Sequence, residues 1–131
     1  MAKGKILIAD DDITLMDMYK LRLEAEDYEV ITAADGEEAI AEIRKEKPEL
    51  VLLDIMMPKI NGLDVLAELK KDPQFKDMPV IMLTALIQDV TKVKSLMSGA
   101  DDYLMKSEIM PGEVIKKVNQ VLEASKKNQE Q

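Results

Sequence analysis

The chain has 131 residues and a net charge of −8, from 26 acidic and 18 basic residues. Hydrophobic residues make up 47% and charged residues 34%, a composition that folds around a core as one domain and excludes intrinsic disorder. With no Cys and no His, a disulfide scaffold, a thiolate zinc site, a Cys nucleophile, a Ser-His-Asp triad and an imidazole metal ligand are all excluded.

In chain order, short Ile/Val/Leu-rich runs alternate with segments of helical periodicity. The first run is Ile6 to Ala9, followed by Asp10-Asp11-Asp12. Leu15, Met18, Tyr19 and Leu23 then predict a first helix, with Asp12 doing cap or turn work at its start. Val30 to Ala33 is the second run. Asp35-Gly36 precedes a second helix marked by Ala39, Ile40 and Ile43, with Asp35 as N-cap. Leu50 to Leu53 is followed by Asp54, and Asn61-Gly62 leads into a third helix carrying Leu63, Val65, Leu66 and Leu69. Val80 to Leu83 ends in Thr84-Ala85; Val90, Val93, Leu96 and Met97 predict a fourth helix closed by Gly99. Tyr103 to Met105 ends in Lys106. Pro111 suits the first turn of a fifth helix with Val114, Ile115, Val118, Val121 and Leu122 on its apolar face. Met16, Met18, Met97 and Met105 read as core filler. The stretch from Glu123 to Gln131 is polar and is expected to fray.

Strands that are apolar throughout are buried on both faces, so five β-then-α units predict an α/β domain with a parallel sheet and helices on both sides. The expectation is a single domain over 1–131 with its core at about 4–123 and a polar tail over 124–131. No apolar run approaches the ~20 residues of a membrane span, and the run after Met1-Ala2-Lys3-Gly4-Lys5 is too short for a signal-peptide core. A soluble cytoplasmic protein is expected. The acidic balance disfavours direct nucleic-acid binding and anionic membranes.

In a parallel α/β sheet, ligands bind outside the carboxyl ends of the strands. Asp10, Asp11, Asp12, Asp54, Thr84 and Lys106 all fall at such ends. Carboxylates gathered there repel one another unless a cation sits among them, and oxygen-only ligands select a hard cation, Mg²⁺ above all. A hydroxyl from Thr84 and the charge of Lys106 complete a place for a phosphoryl group.

Four segments carry a family resemblance: Ile6-Leu7-Ile8-Ala9-Asp10-Asp11-Asp12, Leu52-Leu53-Asp54-Ile55-Met56-Met57-Pro58, Val80-Ile81-Met82-Leu83-Thr84-Ala85 and Gly99-Ala100-Asp101-Asp102-Tyr103-Leu104-Met105-Lys106. Over about residues 4 to 123 the chain resembles the receiver domain of two-component response regulators, chemotaxis-regulator-like in form. The resemblance implies a flavodoxin-like (βα)5 domain with strand order 2-1-3-4-5. It implies that Asp54 is the phosphoacceptor, taking its phosphoryl group from a sensor histidine kinase or a phosphotransfer protein. Asp11 would bind Mg²⁺ directly and Asp10 through water, with Asp54 and the backbone carbonyl of Met56 as further ligands. Thr84 would be the switch hydroxyl, Lys106 the partner of the acyl phosphate and Tyr103 the switch aromatic, beside a small Ala85. The fourth helix, fifth strand and fifth helix would form the face that controls a downstream effector protein or domain, and a dimer when phosphorylated is a family option.

Two positions depart from the usual family pattern. Lys106 is followed by Ser107 instead of Pro, so a trans bond is expected, because a cis non-proline bond costs about 3–4 kcal/mol. Asn61 stands where Asp is commoner and is expected to tolerate the same left-handed turn. Met56 and Leu86 flank the family's hydrolytic-water path and are both apolar, so slow self-dephosphorylation is expected. The reading is of a switch that catalyses only its own modification. A phosphohydrolase would place a second Asp where Met56 stands, and a nucleotide-binding protein would have a Gly-rich loop where Asp10-Asp11-Asp12 stands. A degenerate receiver acting as a non-phosphorylated adaptor is the alternative.

Overall fold

The computed structural model describes residues 4–84, 102–105 and 111–129, at some positions, Thr84 and Tyr103 among them, by the main chain only. The elements are β1 (Gly4–Ala9), α1 (Ile13–Ala25), β2 (Tyr28–Ala33), α2 (Gly36–Glu46), β3 (Leu50–Asp54), α3 (Gly62–Lys71), β4 (Val80–Thr84), β5 (Asp102–Met105) and a C-terminal helix (Pro111–Gln129). All strand pairings are parallel, in the order β2-β1-β3-β4-β5. This is the expected flavodoxin-like sheet. The predicted fourth helix, Ala85, Leu86, Lys106 and the Lys106-Ser107 bond lie outside the described residues.

The apolar strands explain the layering. Successive side chains point to opposite faces of a sheet. Leu7, Ala9, Val51, Leu53, Val80 and Met82 pack on one face with Ala39 and Ile43 of α2 and Val65, Leu66 and Leu69 of α3. Ile6, Ile8, Leu50, Leu52, Ile81 and Leu83 pack on the other with Met16, Tyr19 and Leu23 of α1 and Val114, Val118 and Leu122 of the C-terminal helix. Both faces are covered, so neither could alternate apolar and polar residues. The Tyr28 hydroxyl donates to Asn119 Oδ1 and ties β2 to the C-terminal helix.

Each of the first three helices begins on a side-chain cap at the carboxyl edge of the sheet. Asp12 accepts from the Leu15 N–H at 3.0 Å, Asp35 from the Glu38 N–H at 2.8 Å and Asn61 from the Asp64 N–H at 2.9 Å. These bonds satisfy amides that have no partner within the helix. Asp12 and Asp35 thus take the capping roles expected of them.

Three details differ from the sequence expectations. Met18 is exposed, whereas Met16, Tyr19 and Leu23 of α1 are buried as expected, because steps of three and four centre the stripe on Tyr19. Asn61 is extended, with φ −74° and ψ 164°, and works as a cap; the left-handed residue of that loop is Lys59, at φ 66°. The polar stretch after Glu123 is helical as far as Gln129, consistent with a run that lacks Gly and Pro.

Candidate functional site

Register builds the site. Ala9 of β1 pairs with Leu53 of β3, so the next residues, Asp10 and Asp54, stand side by side where the two strands leave the core. Asp54 pairs with Leu83 of β4, which puts Thr84 one residue beyond it on the neighbouring strand. Thr84 pairs with Met105, the last residue of β5. Tyr103 lies on β5 opposite Met82.

Asp10 and Asp54 are buried, at 0% and 2% exposure, while Asp11 is exposed. One carboxylate oxygen from each of Asp10, Asp11 and Asp54 falls within 4.8 Å of the others. Asp10 is held from both sides: its N–H donates to the Ala33 carbonyl at 3.1 Å, and its Oδ1 accepts from the Asp12 N–H at 2.9 Å. Asp54 Oδ1 accepts from the Met56 N–H at 3.2 Å. The Met56 side chain points outward at 61% exposure, whereas Met57 is buried.

The electrostatics follow from burial. Two carboxylates close together in a low-dielectric setting repel strongly and lose hydration, and a cation between them offsets both costs. The donors are carboxylate oxygens in a chain without His or Cys, so the set fits a hard divalent ion. The capped N-termini of α1, α2 and α3 also face this edge of the sheet, and their dipoles favour an anion there.

The loop from β3 to α3 closes the site from one side. The Gly62 N–H donates to the Ile55 carbonyl at 2.9 Å, and the Ile55 N–H to Leu83 at 3.1 Å. A Cβ on Gly62 would come within 2.0 Å of the Asp54 carbonyl oxygen, so only glycine permits the approach. A Cβ on Gly36 would come within 1.9 Å of the Ile60 carbonyl oxygen. Read from the sequence, both glycines were only punctuation before a helix. The contacts that demand them come from distant segments, and no local signal marks them.

The structure therefore brings together Asp10, Asp11 and Asp54, with the Met56 amide bonded to Asp54. It sets the main chain of Thr84 beside them and that of Tyr103 two strands from β3. Asp12 caps α1 and stands outside the cluster.

Comparison with known proteins places the chain in a family. The family model for the response regulator receiver domain matches residues 6–119. A probable transcriptional regulator ycf27 of Pyropia yezoensis is 44% identical over 125 residues, covering 95% of this chain and 50% of that protein. The alkaline phosphatase synthesis transcriptional regulatory protein PhoP of Bacillus subtilis is 40% identical over 121 residues, covering 92% and 49%. Among solved structures, a CheY-like response regulator receiver domain protein from Methanospirillum hungatei superposes with TM-score 0.84 at 36% identity, covering 95% of this chain and 97% of that one. The chain belongs to the receiver domain family of two-component response regulators. It spans about half the length of the regulators cited.

Proposed function

We propose that this chain is a phosphorylation-dependent signalling switch, with Asp54 as the residue modified. The observation that carries the reading is the convergence of Asp10, Asp11 and Asp54 oxygens within 4.8 Å at the carboxyl edge of the sheet. A carboxylate oxygen of Asp54 would attack phosphorus as the bond to a donor histidine nitrogen breaks, leaving an acyl phosphate on Asp54. That donor belongs to a sensor histidine kinase or a phosphotransfer protein. Asp11 directly, Asp10 through water, Asp54 and the Met56 carbonyl would hold Mg²⁺, which supplies charge neutralisation at the transferring oxygens. The Met56 N–H bond to Asp54 Oδ1 holds the nucleophile in place.

Thr84 would meet the new phosphoryl oxygens with its hydroxyl, Lys106 would pair with them, and Tyr103 would follow Thr84 inward. Added charge at Asp54 thereby biases an existing equilibrium toward the signalling state. The predicted fourth helix, β5 and the C-terminal helix would pass the change to a downstream effector, with dimerisation on phosphorylation as one form of output. The domain would comprise 1–131. It works on its own acyl phosphate, forming it and losing it slowly, and is not otherwise an enzyme.

One relative, from Mycolicibacterium paratuberculosis, is named a DNA-binding response regulator. The net charge of −8 supports a reading in which the 131 residues here do not themselves hold nucleic acid. Among the described residues no helix is long and apolar enough to cross a membrane, and a cytoplasmic location suits the role. The adaptor reading gains nothing from a site whose acidic pair and acceptor stand together.

The test is intact mass after incubation with a small-molecule phosphodonor, with and without Mg²⁺, beside Asp54→Ala. One added phosphoryl group that needs both Mg²⁺ and Asp54 is expected. Folded protein that gains none, even with a kinase present, overturns the switch.

A further inference from the structure

We propose that Gly36, the first residue of α2, is a positioning residue for the metal site, acting through the β3–α3 loop. This rests on the reading of Asp10, Asp11 and Asp54 given above.

The loop is pinched at its ends, where the Gly62 N–H meets the Ile55 carbonyl, and its middle lies on the N-terminus of α2. The Gly36 N–H points to the Pro58 carbonyl at 3.5 Å. A Cβ on Gly36 would stand 1.9 Å from the Ile60 oxygen and 2.7 Å from its carbonyl carbon, both main-chain atoms that no rotamer can move aside. Lys59, left-handed at φ 66°, reaches back to Asp35 at 3.6 Å and Glu37 at 4.0 Å. So residues 58–60 are latched to residues 35–37.

α2 is anchored along its length, whereas the loop is held in the same core at Ile55 and Met57 and less deeply at Ile60. Ala39 and Ile43 are fully buried, and Asp35 is committed to capping the helix through Glu38. An added methyl at position 36 therefore moves the loop, by about 1 Å before the contact becomes tolerable. Met56 lies two residues before Pro58, and its main chain supplies both the N–H bonded to Asp54 and the carbonyl proposed as a metal ligand. Groups that orient metal ligands without touching the ion typically change affinity by roughly 10- to 100-fold when altered. Alanine is the better helix former, so propensity alone would favour the substitution and cannot account for a loss.

The experiment titrates Mg²⁺ calorimetrically into the full chain and into Gly36→Ala, Lys59→Asn and Val118→Ala. It also follows the initial phosphorylation rate against Mg²⁺ concentration. Gly36→Ala is expected to weaken Mg²⁺ binding roughly 10-fold and raise the half-saturating Mg²⁺ alike, with the rate at saturation within about twofold of the parent. Lys59→Asn, which tolerates the left-handed turn but lacks the cation, is expected to weaken binding by about twofold. Val118→Ala, at a fully buried site on the C-terminal helix, loses stability with Mg²⁺ affinity unchanged. Unchanged affinity in Gly36→Ala overturns the inference, as does an equal weakening in Val118→Ala. If Gly36→Ala does not fold, unchanged affinity in Lys59→Asn overturns it. A parent protein that binds no Mg²⁺ overturns the site reading, and the latch with it.

Discussion

Gly62 lies so close to Asp54 that a Cβ on it would fall within 2.0 Å of the Asp54 carbonyl oxygen. The residue opening α3 is thus packed against the main chain of the proposed acceptor, and the Gly62 N–H bond to Ile55 fixes the approach. Gly62→Ala must push α3 or the end of β3 aside. We expect a loss of about 3 kcal/mol, at the upper end of overpacking costs, measured by urea unfolding. Phosphorylation should fall with it, because the displaced backbone carries Asp54, the proposed nucleophile.

Asp10 and Asp54 are two buried carboxylates with no intervening residue between their strands. Neutralising one relieves their repulsion. Asp10→Asn should therefore raise the metal-free thermal midpoint. Mg²⁺ at 100 times its Kd should stabilise the parent by about 2.7 kcal/mol and Asp10→Asn much less. Thermal scans with and without Mg²⁺ decide it, and equal Mg²⁺ shifts in the two proteins would count against Asp10 as part of the site.

Met56 presents its apolar side chain to solvent at the mouth of the site. A thioether cannot orient an attacking water as an amide or carboxylate can. With Met56→Asn and Leu86→Glu combined, the decay of phosphorylated protein, followed by intact mass, should quicken roughly tenfold or more, a small part of what a positioned proton-transfer group supplies. An unchanged half-life would refute the lifetime argument.

The Glu38 N–H bonded to Asp35 holds the Asp35 carboxyl below its ordinary value of 3.8, with Lys59 helping. A depressed carboxylate stabilises the fold above its unfolded-state pKa, and that contribution disappears as pH falls through the folded-state value. Asp35→Ala should therefore melt lower than the parent near neutrality. The gap should narrow as pH drops below about 4, the ordinary carboxylate range. Thermal midpoints across pH 2.5 to 7 would show it.

In α1, Leu21 is 71% exposed and Leu23 fully buried. Leu23→Ala should cost about 3 kcal/mol and Leu21→Ala less than about 0.5 kcal/mol, read from denaturant midpoints. Similar losses at the two positions would mean that α1 packs in a different register.

The central strands were legible because burial on both faces leaves little choice of residue. Ile6 to Ala9 and Leu50 to Leu53 are apolar without a break, and their ends mark where Asp10 and Asp54 emerge. The caps Asp12 and Asp35 were legible for the same local reason, since a carboxylate just before an apolar-periodic segment meets free helix amides. The face of α1 was less so. Its apolar residues run almost all round, and periodicity alone placed Met18 inside.

Residue order alone carries the alternation of strand and helix and the residue types at each strand end, and from these the proposal of hard-cation, phosphoryl chemistry in a chain without His or Cys. That Asp10 and Asp54 are neighbours comes from the folded sheet, through the Ala9–Leu53 register. Only the tertiary structure shows that Gly36 and Gly62 have no room for a side chain and that Lys59 takes the left-handed turn. The reason is range. Caps and periodicities are set by residues a few positions apart, whereas each of these contacts joins segments that meet only once the helices have folded back onto the sheet.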